Sequence, residues 1–167
     1  MTNAQLSVPD TGTGISTESV PAFTPLRIVI DTNVCLDLFL FRDPRWQPLM
    51  TALQQGKVQA ITRADCKMEW SIVLTYPKLG LDEARRQQIN AEFETLIEQI
   101  DMPASAAIIS LPVCRDPDDQ KFLELAHHGQ ASCLISKDKA LLKLARKTLK
   151  LGLFQILSPE AWVAAAT

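Results

Sequence analysis

Short apolar runs alternate along the chain with longer stretches in which apolar residues recur every three or four positions. This is the pattern of strands alternating with helices. The run LRIVI, from Leu26 to Ile30, is continuous and rich in β-branched residues, as suits a strand buried on both faces of a parallel sheet. Val34, Leu36, Leu38, Phe39 and Leu40 follow in a mostly apolar helix. Beyond Pro44 and Pro48, residues Trp46, Leu49, Met50 and Leu53 have helical spacing, with Gly56 as the stop. VQAIT predicts a second strand, and RADCKMEWSIVLTYP a helix with Cys66, Trp70, Val73 and Leu74 on one face, ended by Pro77. The clearest amphipathic helix follows, with Leu81, Ile89, Phe93, Leu96, Ile97 and Ile100 at intervals of three and four.

A connection containing Pro, Ser and Ala carries a candidate strand at Ile108 and Ile109. Asp116 followed by Pro117 then signals a helix start, and Gly129 its stop. SCLIS is expected as a third strand, KDKALLKLARKTLK as one basic amphipathic helix, LFQIL as a fourth strand, and SPEAWVAAA as a last helix opened by Ser158 and Pro159. The expected fold class is α/β, three layers of α/β/α around a mostly parallel central sheet of about four to five strands. Residues 1–24 are rich in Ser, Thr, Gly and Pro without periodicity and read as a flexible tail. Residues 25–167 read as a single domain.

Composition narrows the classes. At 167 residues and 47% hydrophobic content the chain can build a sizeable core, and a net charge of -2 gives no bulk attraction to nucleic acid. Any such binding needs a local basic rim. Cys35, Cys66, Cys114 and Cys133 are widely spaced, never Cys-x-x-Cys, and read as buried free thiols in a reducing cytoplasm. The adjacent His127 and His128 lack the partners a zinc site needs. No apolar run approaches the roughly 18 residues of a membrane span, so a soluble cytoplasmic protein is expected.

Candidate chemistry lies with carboxylates. Ligands in open α/β sheets collect outside the carboxyl ends of the strands. Asp31 directly follows the first strand and Asp138 the third, Asp119 opens a helix, and Glu69 sits in a largely apolar helical stretch. Each has a structural alternative: Asp31 and Asp138 as helix caps, Asp116, Asp118 and Asp119 as helix-start acids. If the four converge, their repulsion favours binding of a hard divalent cation, Mg²⁺ or Mn²⁺, through oxygen alone. Such ions polarise a phosphoryl oxygen and lower the pKa of a water, the chemistry of phosphodiester hydrolysis. No Ser-His or Cys-His pair and no Gly-rich phosphate loop offers an alternative.

The segments IVIDTNV, MEWSIVLTYP, CRDPDDQKFLELA and LISKDKALLKLA, in this order, resemble the PIN-domain nucleases, in particular the bacterial VapC-like toxins of toxin-antitoxin pairs. The resemblance covers about Leu26 to Trp162. It implies four metal-binding acids at Asp31, Glu69, Asp119 and Asp138, with Asn33 orienting Asp31 or a water and Ser136 as an accompanying hydroxyl. Asp116 becomes a cap, and Asp118 a substitute for Asp119. Many relatives carry another acid where Ala140 stands, so no fifth ligand is expected.

The implied activity is Mg²⁺- or Mn²⁺-dependent endoribonuclease cleavage of single-stranded RNA, leaving a 3′-hydroxyl and a 5′-phosphate. The implied partners are a cognate antitoxin protein and a second copy in a homodimer. Arg42, Arg45, Lys121, Lys137, Lys139 and Lys143 are candidates for a phosphate-gripping rim. Trp46 and Trp162 are either core residues or exposed dimer anchors. Asp37 has no role in this set and is read as solvent-facing.

Two other classes compete. A haloacid dehalogenase-like phosphatase also puts an Asp after the first strand, but needs a second Asp as general acid where Asn33 stands. A PIN-like module that binds RNA or protein without cutting needs the fold alone.

Overall fold

The computed structural model describes residues 24–102 and 110–166. The N-terminal segment 1–23 and the candidate strand at Ile108 and Ile109 lie outside the described residues. Five strands form one sheet: β1 (Leu26–Ile30), β2 (Val58–Thr62), β3 (Ile97–Gln99), β4 (Cys133–Ile135) and β5 (Gln155–Leu157). Their order is β3-β2-β1-β4-β5 and all four pairings are parallel. From β1 the chain builds outward through β2 and β3 on one side and then crosses to β4 and β5 on the other, which makes the carboxyl end of β1 a topological switch point.

Alternation within β1 explains its uninterrupted apolar run. Ile28 and Ile30 face one core cluster, with Leu49, Trp70, Phe93 and Trp162, while Val29 faces the other, with Ile61, Phe122, Leu123, Leu134 and Leu141. The first layer is built from α1 (Thr32–Cys35), α2 (Gln47–Gln54), α4 (Glu83–Leu96) and α8 (Pro159–Ala166), together with the Trp70 side of α3 (Ala64–Val73). The second layer holds α5 (Gln120–His128), α6 (Lys139–Leu142) and α7 (Ala145–Lys150). The outcome is the expected α/β/α arrangement. In the first layer Trp70 stacks on Phe93 at 4.8 Å between ring centroids, and Phe39 packs edge-on against both. Trp46 and Trp162 are buried in the same cluster, so the alternative left open by the sequence resolves to core.

Three elements differ from the sequence pattern. Ile97 leaves the amphipathic helix and pairs with Ala60 as the first residue of β3, and Ile100 N donates to Thr62 O at 2.9 Å. Without this pairing β2 would leave a row of backbone groups open along its edge, so sheet completion overrides helical spacing. The basic stretch is two helices, because tighter bonds from Leu144 N to Leu141 O and Lys147 N to Leu144 O interrupt it. After α1 the chain widens into a π-helical turn, Leu36–Leu40, in which Phe41 N reaches back to Leu36 O at 2.9 Å.

The two glycine stops work differently. Gly56 has φ of +65°, the left-handed conformation that glycine adopts without a Cβ clash. Gly129 keeps a helical φ of -74°, and Gln130 takes the positive φ instead. What Gly129 provides is space, since a Cβ there would lie 2.2 Å from Ile61 Cδ1 and 2.8 Å from Leu125 O. Gly129→Ala is expected to destabilise the fold by about 1–3 kcal/mol, read as a lower urea midpoint with unchanged slope. An unchanged midpoint would show that the Ile61 side chain yields without cost.

Candidate active site

Asp31 ends β1 and caps α1. Its Oδ1 accepts from Asn33 N at 2.6 Å and Val34 N at 3.4 Å, while Oδ2 accepts from the Ser136 hydroxyl at the end of β4. The backbone holds the same junction, with Asp31 N donating to Ile135 O at 3.0 Å. Only 4% of Asp31 is exposed. Burial raises its pKa, and the hydrogen bonds from Ser136, Asn33 and Val34 work against that rise. The cap and reactive-carboxylate alternatives are thus compatible in one side chain, whose geometry is set by three donors at the switch point.

Ser136 has two roles. Its hydroxyl donates to Asp31 and accepts from Asp138 N at 2.9 Å, so one buried oxygen sets the separation of two acids. Asp138 caps α6, with Oδ1 accepting from Ala140 N at 2.7 Å and Leu141 N at 3.1 Å. Among the described residues no donor reaches its Oδ2. Asn33 contributes its backbone N–H to Asp31, and its side chain is exposed.

Glu69 reaches the site from α3. Thr32 Oγ1 donates to its Oε1 at 2.6 Å, and the Lys121 ammonium pairs with Oε2. Lys121 is further fixed by donating to Asp118 O at 2.6 Å. The sequence gives no sign of Thr32 as a partner and suggests Lys121 only as a rim cation, although both sit one or two residues from a candidate acid. Asp116 caps the turn Pro117–Asp119 through Asp118 N at 3.0 Å, leaving the Asp119 carboxyl free of any donor among the described residues. Burial, then the charges of Asp138, Asp116, Asp31 and Glu69, push the Asp119 pKa up to about 6. Four acids from four elements therefore share one electrostatic environment.

Asp37 is not solvent-facing. It is 8% exposed, pairs with the Lys137 ammonium and accepts from Trp46 Nε1 at 3.3 Å. The π-helical turn that holds it lies against the same segment that carries Ser136 and Asp138, so this ion pair ties that segment to the first helical layer.

Among the described residues no group of three or more Asp, Glu, His or Cys side chains is placed to hold a metal ion. Protein donors hold both oxygens of Asp31 and both of Glu69, whereas among the described residues Asp119 and one oxygen of Asp138 face no donor. Mg²⁺ keeps several waters and binds through one or two carboxylates, so an all-oxygen set with free oxygens on Asp119 and Asp138 fits that ion class without a cage.

Fold and site together define a parallel α/β/α protein with an acidic rim at its switch point. A family model for the PIN domain matches residues 27–140, and the chain belongs to that family. PIN domains are nucleases and in general use divalent metal ions. Among solved structures the chain is similar to one from a Rickettsia felis VapBC2 complex bound to a DNA fragment from its promoter. The TM-score is 0.52 at 11% identity, covering 80% of this chain and 98% of that chain. At that identity the likeness is one of fold. No curated protein matches the chain in sequence.

A carboxyl raised from 3.8 to about 6 binds a proton more tightly in the folded state. The stability this contributes is full below about pH 4 and is lost as pH rises through 6. In EDTA, Asp119→Asn should therefore be more stable than wild type at pH 7.5, by about 1 kcal/mol after discounting for solvent screening, and equal to it near pH 4. Mn²⁺ should reverse the order by stabilising wild type alone. Thermal melts at the two pH values read both effects, and a pH-independent difference would contradict the convergence.

Proposed function

We propose that this chain is a Mg²⁺- or Mn²⁺-dependent endoribonuclease that hydrolyses phosphodiester bonds of single-stranded RNA, acting in the cytoplasm as the toxin of a toxin-antitoxin pair. The observation that carries this reading is that Asp119, pushed up to about 6 first by burial, feels the charges of Asp138, Asp116, Asp31 and Glu69 together. A dense acidic site on an otherwise near-neutral surface is unfavourable for RNA until a cation offsets it.

Each residue then has a definable task. Asp119 and Asp138 would supply free carboxylate oxygens to a divalent ion, with Asp31 beside them at the strand end. When bound, a divalent ion polarises a phosphoryl oxygen and makes water a better nucleophile. Ser136 keeps Asp31 and Asp138 at a set distance. Glu69, itself held by Thr32 and Lys121, orients the Lys121 ammonium toward the rim, where it can meet phosphate charge. Asn33 is exposed beside Asp31, placed to contact a water or the substrate.

The antitoxin assignment draws on the fold likeness to the VapBC2 chain, together with the family. A partner of this kind would cover the acidic rim. A second reading, a PIN-like module that binds without cutting, draws on the bonded state of Asp31 and Glu69 and on the absence, among the described residues, of three acids placed to hold one metal ion. The two readings differ in product. Purified protein with Mn²⁺ should cut single-stranded RNA to fragments bearing 5′-phosphates, and Asp31→Asn or Asp138→Asn should lower the rate at least about a hundredfold. Equal cleavage by wild type and Asp31→Asn would sink the nuclease assignment to these acids. In cells, induction should arrest growth, and co-expression of the cognate inhibitor should restore it. Retained nuclease activity without arrest would instead indicate a housekeeping enzyme.

A further inference from the structure

Six cations were candidates for gripping phosphate, and the structure divides them. Arg42 pairs with Glu92, Arg45 with Asp43, Lys121 with Glu69 and Lys137 with Asp37. Lys139 and Lys143 have no acidic partner among the described residues, and neither does Arg115, which the sequence does not single out. These three exposed, unpaired cations line one groove of about 490 Å³, whose walls are completed by Val113, Cys114, Ala140 and Leu144.

The groove is an extension of the acidic site. One wall is α6 with its caps: Lys139 opens the helix, Lys143 closes it one turn later, and Asp138 is the cap immediately before Lys139. The other is the segment Val113–Arg115, which leads into the turn bearing Asp119. Cys114, in the groove wall, donates its N–H to Gln120 Oε1 at 2.7 Å, on the residue directly after Asp119, and its thiol pKa is raised by burial and then by the charges of Asp119, Asp138 and Asp116. Ala140 matters here, since an acid at that position would face the same groove and cancel one of its cations.

We propose that this groove is the binding track for the sugar-phosphate backbone of single-stranded RNA flanking the scissile bond, with Arg115, Lys139 and Lys143 contacting successive phosphates. Three cations without acidic partners among the described residues, set among the apolar Val113, Ala140 and Leu144, suit a strand that presents phosphates on one side and a sugar or base face on the other. The proposal rests on the nuclease reading for the meaning of the scissile bond, but the groove's affinity for RNA is measurable without cleavage.

The test is fluorescence anisotropy of the full chain with a labelled single-stranded RNA in EDTA, where nothing is cut. Arg115→Gln/Lys139→Gln/Lys143→Gln should bind at least about tenfold more weakly. Its slope of log affinity against log salt should be shallower by about 2, from about 0.7 per lost phosphate contact on a single strand. Lys150→Gln on the far end of α7 should bind as wild type does. Lys143→Glu should be weaker than Lys143→Gln, and Lys143→Arg should restore affinity, an order that loss of folding cannot produce. Unchanged RNA affinity in the triple variant overturns the proposal. So does the finding that the triple variant loses only affinity for polyglutamate, which would assign the groove to an acidic protein segment. RNA that binds through the groove but is never cut with Mn²⁺ would overturn the nuclease reading and leave the track standing.

Discussion

A carboxylate removed from water at the end of the central strand is the constraint around which this structure is organised. Asp31 loses nearly all its hydration, a cost of several kcal/mol for an unpartnered ion, and the fold offsets it with two backbone N–H groups and a hydroxyl. Each donor has structural consequences. The backbone pair requires a helix to start at once after β1, and the hydroxyl requires β4 to lie beside β1 and end at the same level. Sheet order β3-β2-β1-β4-β5 meets that requirement, and the bond from Asp31 N to Ile135 O extends the β1–β4 pairing by one step.

Charge placement follows from the same arrangement. Within the first shell of helices each inward acid has its own partner: Glu69 has Lys121, and Asp37 has Lys137. Asp119 has none among the described residues, and burial, followed by the repulsion of its acidic neighbours, raises its pKa. Positive charge without an acidic partner collects a few residues away, on α6 and the segment before Asp119. The chain is near neutral as a whole, yet it keeps an uncompensated acidic point beside an uncompensated basic groove, an arrangement that net charge conceals.

Much of this was legible in one dimension. The β1 run, the Asp at its end, the Asp-Pro helix start and the Ser-x-Asp after β4 are local signals, because strand burial and helix capping depend on neighbours in sequence. The α/β/α class followed from the alternation of elements. Other features were not legible. Ile97 and Ile100 continue a helical spacing without fault, and only the open edge of β2 draws Ile97 into a strand and the Ile100 N–H onto Thr62 O. Asp37 reads as a polar residue on a helix, and it is buried because a lysine a hundred positions away meets it.

The sequence by itself determined where carboxylates end strands and begin helices, since those positions are set by local backbone geometry. It also determined the family, through motifs whose order survives without any contact being known. Only the tertiary structure decided which charges neutralise one another. Lys121, Lys137, Lys139 and Lys143 are alike as residues, and what separates the paired from the free is whether the sheet brings an acid within a few ångströms, a distance on which Coulomb energy depends and sequence spacing does not.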